Sequence, residues 1–338
     1  MSTKPMTEHN VRLTSGEIAT LWTMYMNDSL SKCVLSHFLH TVEDRDIRDV
    51  IEYARSLSLK HLDTIVTIMN GERHPIPRGF TDEDVNPAAP RLYSDVFYMN
   101  YLKLFARLGL GFYGFHLHLC ARSDLRDLIE ECLASSTRLS KMADDVMLKK
   151  GIYTRPPAIP IPETVEFVQK AGFLNGYFGD RRSLNAVEIA NLFANIRMNA
   201  MGKAALMGFS QVAESEEVRK YLLRGVAIAD KHIEVLSSKL RADDIPAPAT
   251  FEAEVTASAT SPFSDKLLMY HTAALSQASQ MSYGLAMGTC LRRDIGIDIA
   301  RLASEIVKFA EDGAELMIDR QWLEKAPGAV ERRAIAAT

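Results

Sequence analysis

Cysteine is scarce in this chain: four in 338 residues, at Cys33, Cys120, Cys132 and Cys290, with no Cys-x-x-Cys pair. That spacing excludes a disulfide framework and a thiolate zinc site, and suits reduced, buried fillers. No long apolar run is present either. The most apolar stretch, residues 102–119, carries Lys103, Arg107, His116 and His118, so no membrane span is expected. The first ten residues are polar and lack the apolar core of a secretory signal. The expected compartment is therefore the cytoplasm. Excess positive charge is missing as well: a net charge of −4 and a pI near 6.2 argue against nucleic acid as a partner.

Glycine (18) and proline (13) are sparse, and the prolines are clustered. Proline interrupts a helix interior at ~3 kcal/mol. The proline-free spans 6–74, 91–155, 163–245 and 263–326 can each hold two helices of about 25 residues. Apolar residues at three-to-four spacing (Ile18, Leu21, Trp22, Tyr25; Ile47, Val50, Ile51, Ala54) predict amphipathic helices. Thr14 with Glu17 three residues on reads as a capping box, and Ser123-Asp124 restarts a helix after Cys120. Period-two alternation is missing. The chain reads as all-α, with eight long helices.

The sequence also repeats itself. Leu13, Glu17, Leu21, Lys32 and Phe38 recur at Leu184, Glu188, Leu192, Lys203 and Phe209, a constant shift of 171. After one deletion the shift is 170, linking Ser94-Asp95 to Ser264-Asp265, Tyr113 to Tyr283 and Cys120 to Cys290. A four-helix unit has been duplicated: bundle 1 over 11–155, a connector over 156–183 and bundle 2 over 184–330. Short first and third turns make those helix pairs antiparallel. The long middle link permits either a ferritin-like crossover or a simple up-down bundle.

Polar residues on buried stripes are the candidate site. Asp28 and Lys32 interrupt the first helix's apolar stripe, as Asn199 and Lys203 do in the second copy. His61 and His232 fall on the apolar face of the second helix, and counting from the turn shared by the first two helices puts His61 and Asp28 at one depth, facing each other. Bundle 2 adds His271, matching Tyr101, and Glu305, matching Ser135. One reading is a metal site holding iron or zinc on Asp28, His61, His232, His271 and Glu305. Against it, no Glu-x-x-His is present and a lysine in the layer repels a cation. The other reading is a hydrogen-bonded polar layer of Asp28–Lys32 and Asn199–Lys203 at i,i+4, satisfied by the histidines. His37, His40, His116 and His118 read as partly exposed histidines near a bundle end. Gly109, Gly111 and Gly114 suggest a smooth face for close packing. Arg181-Arg182 reads as a solvated hinge. The third helix, apolar nearly all round with Phe97, Tyr101, Phe105 and Phe112, is expected to sit centrally or between the two units.

At Leu13-Thr-Ser-Gly-Glu-Ile, Tyr25-Met-Asn-Asp-Ser, Pro75-Ile-Pro-Arg-Gly-Phe-Thr-Asp-Glu-Asp-Val85, Ala121-Arg-Ser-Asp-Leu-Arg-Asp, Gly179-Asp-Arg-Arg and Ser261-Pro-Phe-Ser-Asp-Lys the chain resembles a tandem-repeat family of unknown function from spore-forming bacilli. The resemblance implies paired ferritin-like bundles, loosely related to spore-coat proteins, with no activity or catalytic residues to transfer. The leading expectation is a non-catalytic structural or interaction protein, linked to sporulation or stress, whose partner is another protein or a second copy of the chain. The alternatives are a metal binder, or a bundle that binds a small apolar ligand. The last requires a sizeable cavity beside Phe105 and Phe112.

Overall fold

The computed structural model describes residues 11–330 and 332. Eight long helices carry the fold: α1 (Ser15–Thr41), α2 (Arg45–Gly71), α3 (Asp95–Leu117), α4 (Ser123–Lys149), α5 (Ala186–Val212), α6 (Glu216–Arg241), α7 (Asp265–Thr289) and α8 (Arg293–Asp319). Only short 3₁₀ turns and two isolated β-bridges supplement them among the described residues. No described helix is long and apolar enough to cross a membrane. All four cysteines are free and buried.

The capping box forms as the sequence predicts. The Thr14 hydroxyl accepts from the Glu17 amide while the Glu17 carboxylate accepts from the Thr14 amide at 2.8 Å. Asn185 and Glu188 repeat the arrangement at α5. Each of these glutamates is fully buried and does more than cap. Glu17 also accepts from the amides of Ala121 and Arg122, and Glu188 from that of Arg292, so each ties the start of its unit's first helix to the start of its fourth. Burial would raise the Glu17 carboxyl's pKa, but the converging donors hold it below the usual value.

Topology follows from which ends meet. The amides of Glu43 and Asp44, in the α1–α2 turn, donate to the Asp95 carboxylate at the start of α3. At the opposite end Arg122, which opens α4, reaches Glu72 just past α2 at 2.6 Å. α2 and α3 therefore run in the same direction, and the 72–94 link traverses the bundle's length of ~40 Å. The same bonds recur between Glu214, Ser215 and Asp265. The order is up-down-down-up with one long crossover in each unit, which excludes the simple up-down bundle.

The two crossovers pair with each other. Bridges join Val85 to Phe263 and Tyr93 to Val255, antiparallel. At the repeat shift of 170, Val85 matches Val255 and Tyr93 matches Phe263, so the bridges exchange under a pseudo-two-fold axis. Tyr101 and His271, one residue and its own counterpart, meet near that axis: the tyrosine hydroxyl lies 2.8 Å from His271 Nε2. The central apolar cluster includes Phe38, Tyr98 and Leu102 from the first unit with Phe209, Leu268 and Phe309 from the second. α3 thus lies against the second unit, the second of the two placements its all-round apolar surface allows.

Close packing depends on glycine at one point across this interface. A Cβ at Gly208 would fall 2.5 Å from the hydroxyl of Tyr93, which donates to Ala205 O. The matching position in α1 is His37, whose ring packs edge-on against Phe263, the residue matching Tyr93. A larger aromatic is thus paired with glycine on one side of the axis and a smaller one with histidine on the other. His37 is therefore fully buried, and neither ring nitrogen reaches a hydrogen-bond partner. The partly exposed setting expected for His37 is incorrect, because the interface seals that end of α1. His40 is exposed, as expected. Of the three glycines on α3, only Gly109 mediates close approach, against Ser136 of α4.

Candidate functional site

The polar residues on buried stripes separate into three places rather than one. In the first unit, His61 Nδ1 lies 3.3 Å from both carboxylate oxygens of Asp28, and both residues are buried. This is the facing pair at one depth that counting along α1 and α2 predicts. Burial alone would discharge the imidazole, but Asp28 and the thiol of Cys132 beside it raise its pKa to about 10. His61 is therefore protonated at neutral pH, a buried imidazolium–carboxylate pair with no lone pair to offer a metal.

The second unit builds the same layer without charge. Asn199, at the Asp28 position, donates to the Tyr283 hydroxyl at 2.8 Å. That hydroxyl donates in turn to His232 Nδ1 at 2.9 Å, leaving Nε2–H facing Glu305 at 3.3 Å. Burial dominates here and lowers the His232 pKa; Glu305 opposes it, while Lys231 and Arg301 add to it. An Asp-to-Asn difference thus turns a charged pair into a neutral chain.

The third place is His271, which pairs with Tyr101 at the pseudo-two-fold axis and not with His232 or Glu305. Burial drops its pKa to about 4, and its Nδ1 has no partner. The five residues proposed as metal ligands are thus dispersed, and among the described residues no three His, Cys, Asp or Glu side chains are grouped to hold a metal ion. The lysines leave the layer as well. Lys32 reaches Asp82 at 2.8 Å and Lys203 pairs with Asp230 and Glu252, so each secures its own unit's crossover. The expected i,i+4 bonds Asp28–Lys32 and Asn199–Lys203 do not form, because a long lysine stem carries its charge outward to those carboxylates. Arg182, read as solvated, instead clamps the buried Glu188 at 2.7 Å and stacks on Phe173.

A cavity of about 160 Å³ opens beside the charged pair. Asp28, Ser58 and His61 form one wall and His271 of α7 another, with Leu104, Phe105, Leu108, Phe112 and Leu139 between them. Ser58 Oγ and His271 Nδ1, both buried, lack hydrogen-bond partners. At the corresponding place the second unit keeps only about 40 Å³. Two substitutions between the copies put more bulk at this place in the second unit. Ser136 stands where the second unit has Ile306, and Leu139 where it has Phe309. The Phe309 ring stacks on Tyr221 at 4.3 Å and fills the space over Gly225.

Ser58, Ser136 and Leu139 were not singled out from sequence. A signal for two of them was present: comparing matched positions by volume marks 136 and 139 as places where one copy shrank.

Over residues 1–165 and again over 172–335 the chain matches the family described as "Protein of unknown function (DUF3231)". The chain belongs to that family, with two tandem copies. No curated protein matches it. A crystal structure from Bacillus halodurans C-125, described provisionally as a spore coat protein, is similar over 44% of this chain and 98% of its own, at 15% identity and a TM-score of 0.39.

Proposed function

We propose that this DUF3231 protein binds a small, largely apolar molecule in the cavity between its first helical bundle and α7 of the second unit. The cavity carries the reading, with its apolar wall at Phe105, Phe112 and Leu139 and the two buried, unpartnered polar atoms Ser58 Oγ and His271 Nδ1. A buried polar atom left unpaired costs ~1–3 kcal/mol, which a ligand's hydrogen-bonding groups can offset. A cavity of ~150 Å³ holds a benzene-sized molecule, so the ligand has about one ring or a short chain. Because Asp28 and His61 neutralise each other, its polar group is uncharged, such as a hydroxyl or carbonyl.

The role expected first from sequence, a non-catalytic scaffold with spore association or self-association, needs no cavity and no orphaned polar atoms. Metal binding draws no support from the dispersed ligands and the protonated His61. Titration of the protein with p-cresol, followed calorimetrically, separates the readings. Saturable one-to-one binding is expected, lost when Ser136→Ile and Leu139→Phe install the second unit's residues. No binding by the wild type, or equal binding by the filled variant, contradicts the ligand reading.

A further inference from the structure

Beyond that cavity, a cleft of about 200 Å³ lies where α3 faces α5 of the second unit. Its cationic lining is Lys103 and Arg107 from α3 and Arg197 from α5, and its apolar lining includes Phe193, Met198 and Phe251. Lys103 pairs with Asp144. The arginines have no such partner among the described residues. Arg197, half-buried, donates to Asn100 Oδ1 and lies over the Phe251 ring at 5.2 Å; Arg107 reaches only the Ser282 hydroxyl at 3.3 Å. Arg107 is exposed and Arg197 half-buried, and the desolvation each meets in the cleft lowers its guanidinium pKa with no carboxylate opposing it. A guanidinium carries five donors in a fork that suits oxyanions, so most of this pair's donors remain unused.

The pseudo-two-fold axis supplies an internal control. At the matching positions of the opposite side, Ala273 replaces Lys103, Gln277 replaces Arg107 and Met26 replaces Arg197. Three cations converge on one side of the interface and none of the three is kept on the other. Packing and duplication alone are satisfied without them, since the other side of the interface forms with neutral residues.

We propose that this inter-unit cleft binds an organic anion, a carboxylate or phosphate head held by Arg107 and Arg197 with its apolar body against Phe193, Met198 and Phe251. The head groups share one chemistry, an oxyanion matching the guanidinium fork, and the probes distinguish them. Benzoate, phenyl phosphate and uncharged benzyl alcohol are titrated into the intact protein and into Arg107→Gln/Arg197→Met. Those replacements are the residues of the opposite side; should the pair not fold, Arg107→Gln alone is used.

At least one of the anions binds the wild type and loses tenfold or more affinity in the variant, with binding weakened by added salt. The tighter anion identifies the head group, and with the first cavity filled by Ser136→Ile/Leu139→Phe, benzyl alcohol binds with lower affinity than that anion and loses nothing further on the arginine substitutions. The cavity-filled Ser136→Ile/Leu139→Phe protein keeps its anion binding, so failure of the cavity reading leaves this one standing. The cleft assignment is overturned if neither anion binds, if the arginine substitutions leave the affinity unchanged, or if filling the cavity removes it.

Discussion

The two bundles share a backbone plan and differ in what they keep inside. In the first, a charged Asp28–His61 pair faces a cavity walled by Ser136 and Leu139. In the second, the neutral Asn199–Tyr283–His232 chain sits beside a space closed by Ile306 and Phe309. The helix lengths, caps, crossovers and end-tying glutamates are nearly the same. Duplication therefore preserved the parts that hold the helices in place and released those that face the interior. The second copy keeps only about 40 Å³ where the first keeps about 160 Å³ beside Ser58 Oγ and, from α7 of the second unit, His271 Nδ1, a space that a purely structural role does not require.

Neutralising the charged side should break this contrast most strongly. Asp28→Asn copies the second unit's residue and leaves His61 without its counter-charge, at a cost of ~3 kcal/mol near pH 7, the lower part of the range for a broken buried pair because the imidazole can shed its proton. The sign with pH is defined. A pKa raised in the folded state gives stabilisation that is full below the unfolded value of ~6.5 and disappears as pH climbs through about 10. Urea melts at pH 6, 8 and 10 should show the wild-type advantage over Asp28→Asn shrinking along that series. An unchanging difference would contradict the ion pair.

Opening the second unit comes next. Ile306→Ser with Phe309→Leu should cost about 2–4 kcal/mol, from lost transfer energy and the cavity left behind. It should also create a second p-cresol site by calorimetry. At the interface, Gly208→Ala forces a methyl against the Tyr93 hydroxyl and should cost ~1–3 kcal/mol. Tyr93→Phe, which copies the pairing across the axis, should recover part of that loss in a double-mutant cycle.

The smallest effect concerns His37 and His271. Their folded pKa values, lowered to about 4 by burial, mean that the unfolded chain binds more protons between ~6.5 and 4. Stability is lost as pH falls through that window, and His37→Leu should flatten part of the decline measured by thermal melts.

Much of this architecture was legible in the sequence because it rests on local and periodic signals. Proline clusters bounded the helix pairs, the Thr14–Glu17 box marked α1, and the shift of 171 then 170 exposed the duplication. Facing Asp28 with His61 needed only a count from a shared turn. Beyond that, the signals were tertiary. Lys32 could not be assigned to Asp82 without knowing that the crossover returns along α1, and burial of His37 depends on Phe263, 226 positions away in the chain. The cavity itself is an absence of atoms, which no motif encodes; only the smaller Ser136 and Leu139 against Ile306 and Phe309 hinted at it.

A crystal of the wild-type protein pressurised with xenon tests the central asymmetry directly. Density is expected between Phe105, Leu108 and Leu139 in the first bundle, with none between Gly225 and Phe309 in the second. Equal occupancy of both bundles, or a first bundle closed by its own side chains, would contradict the account.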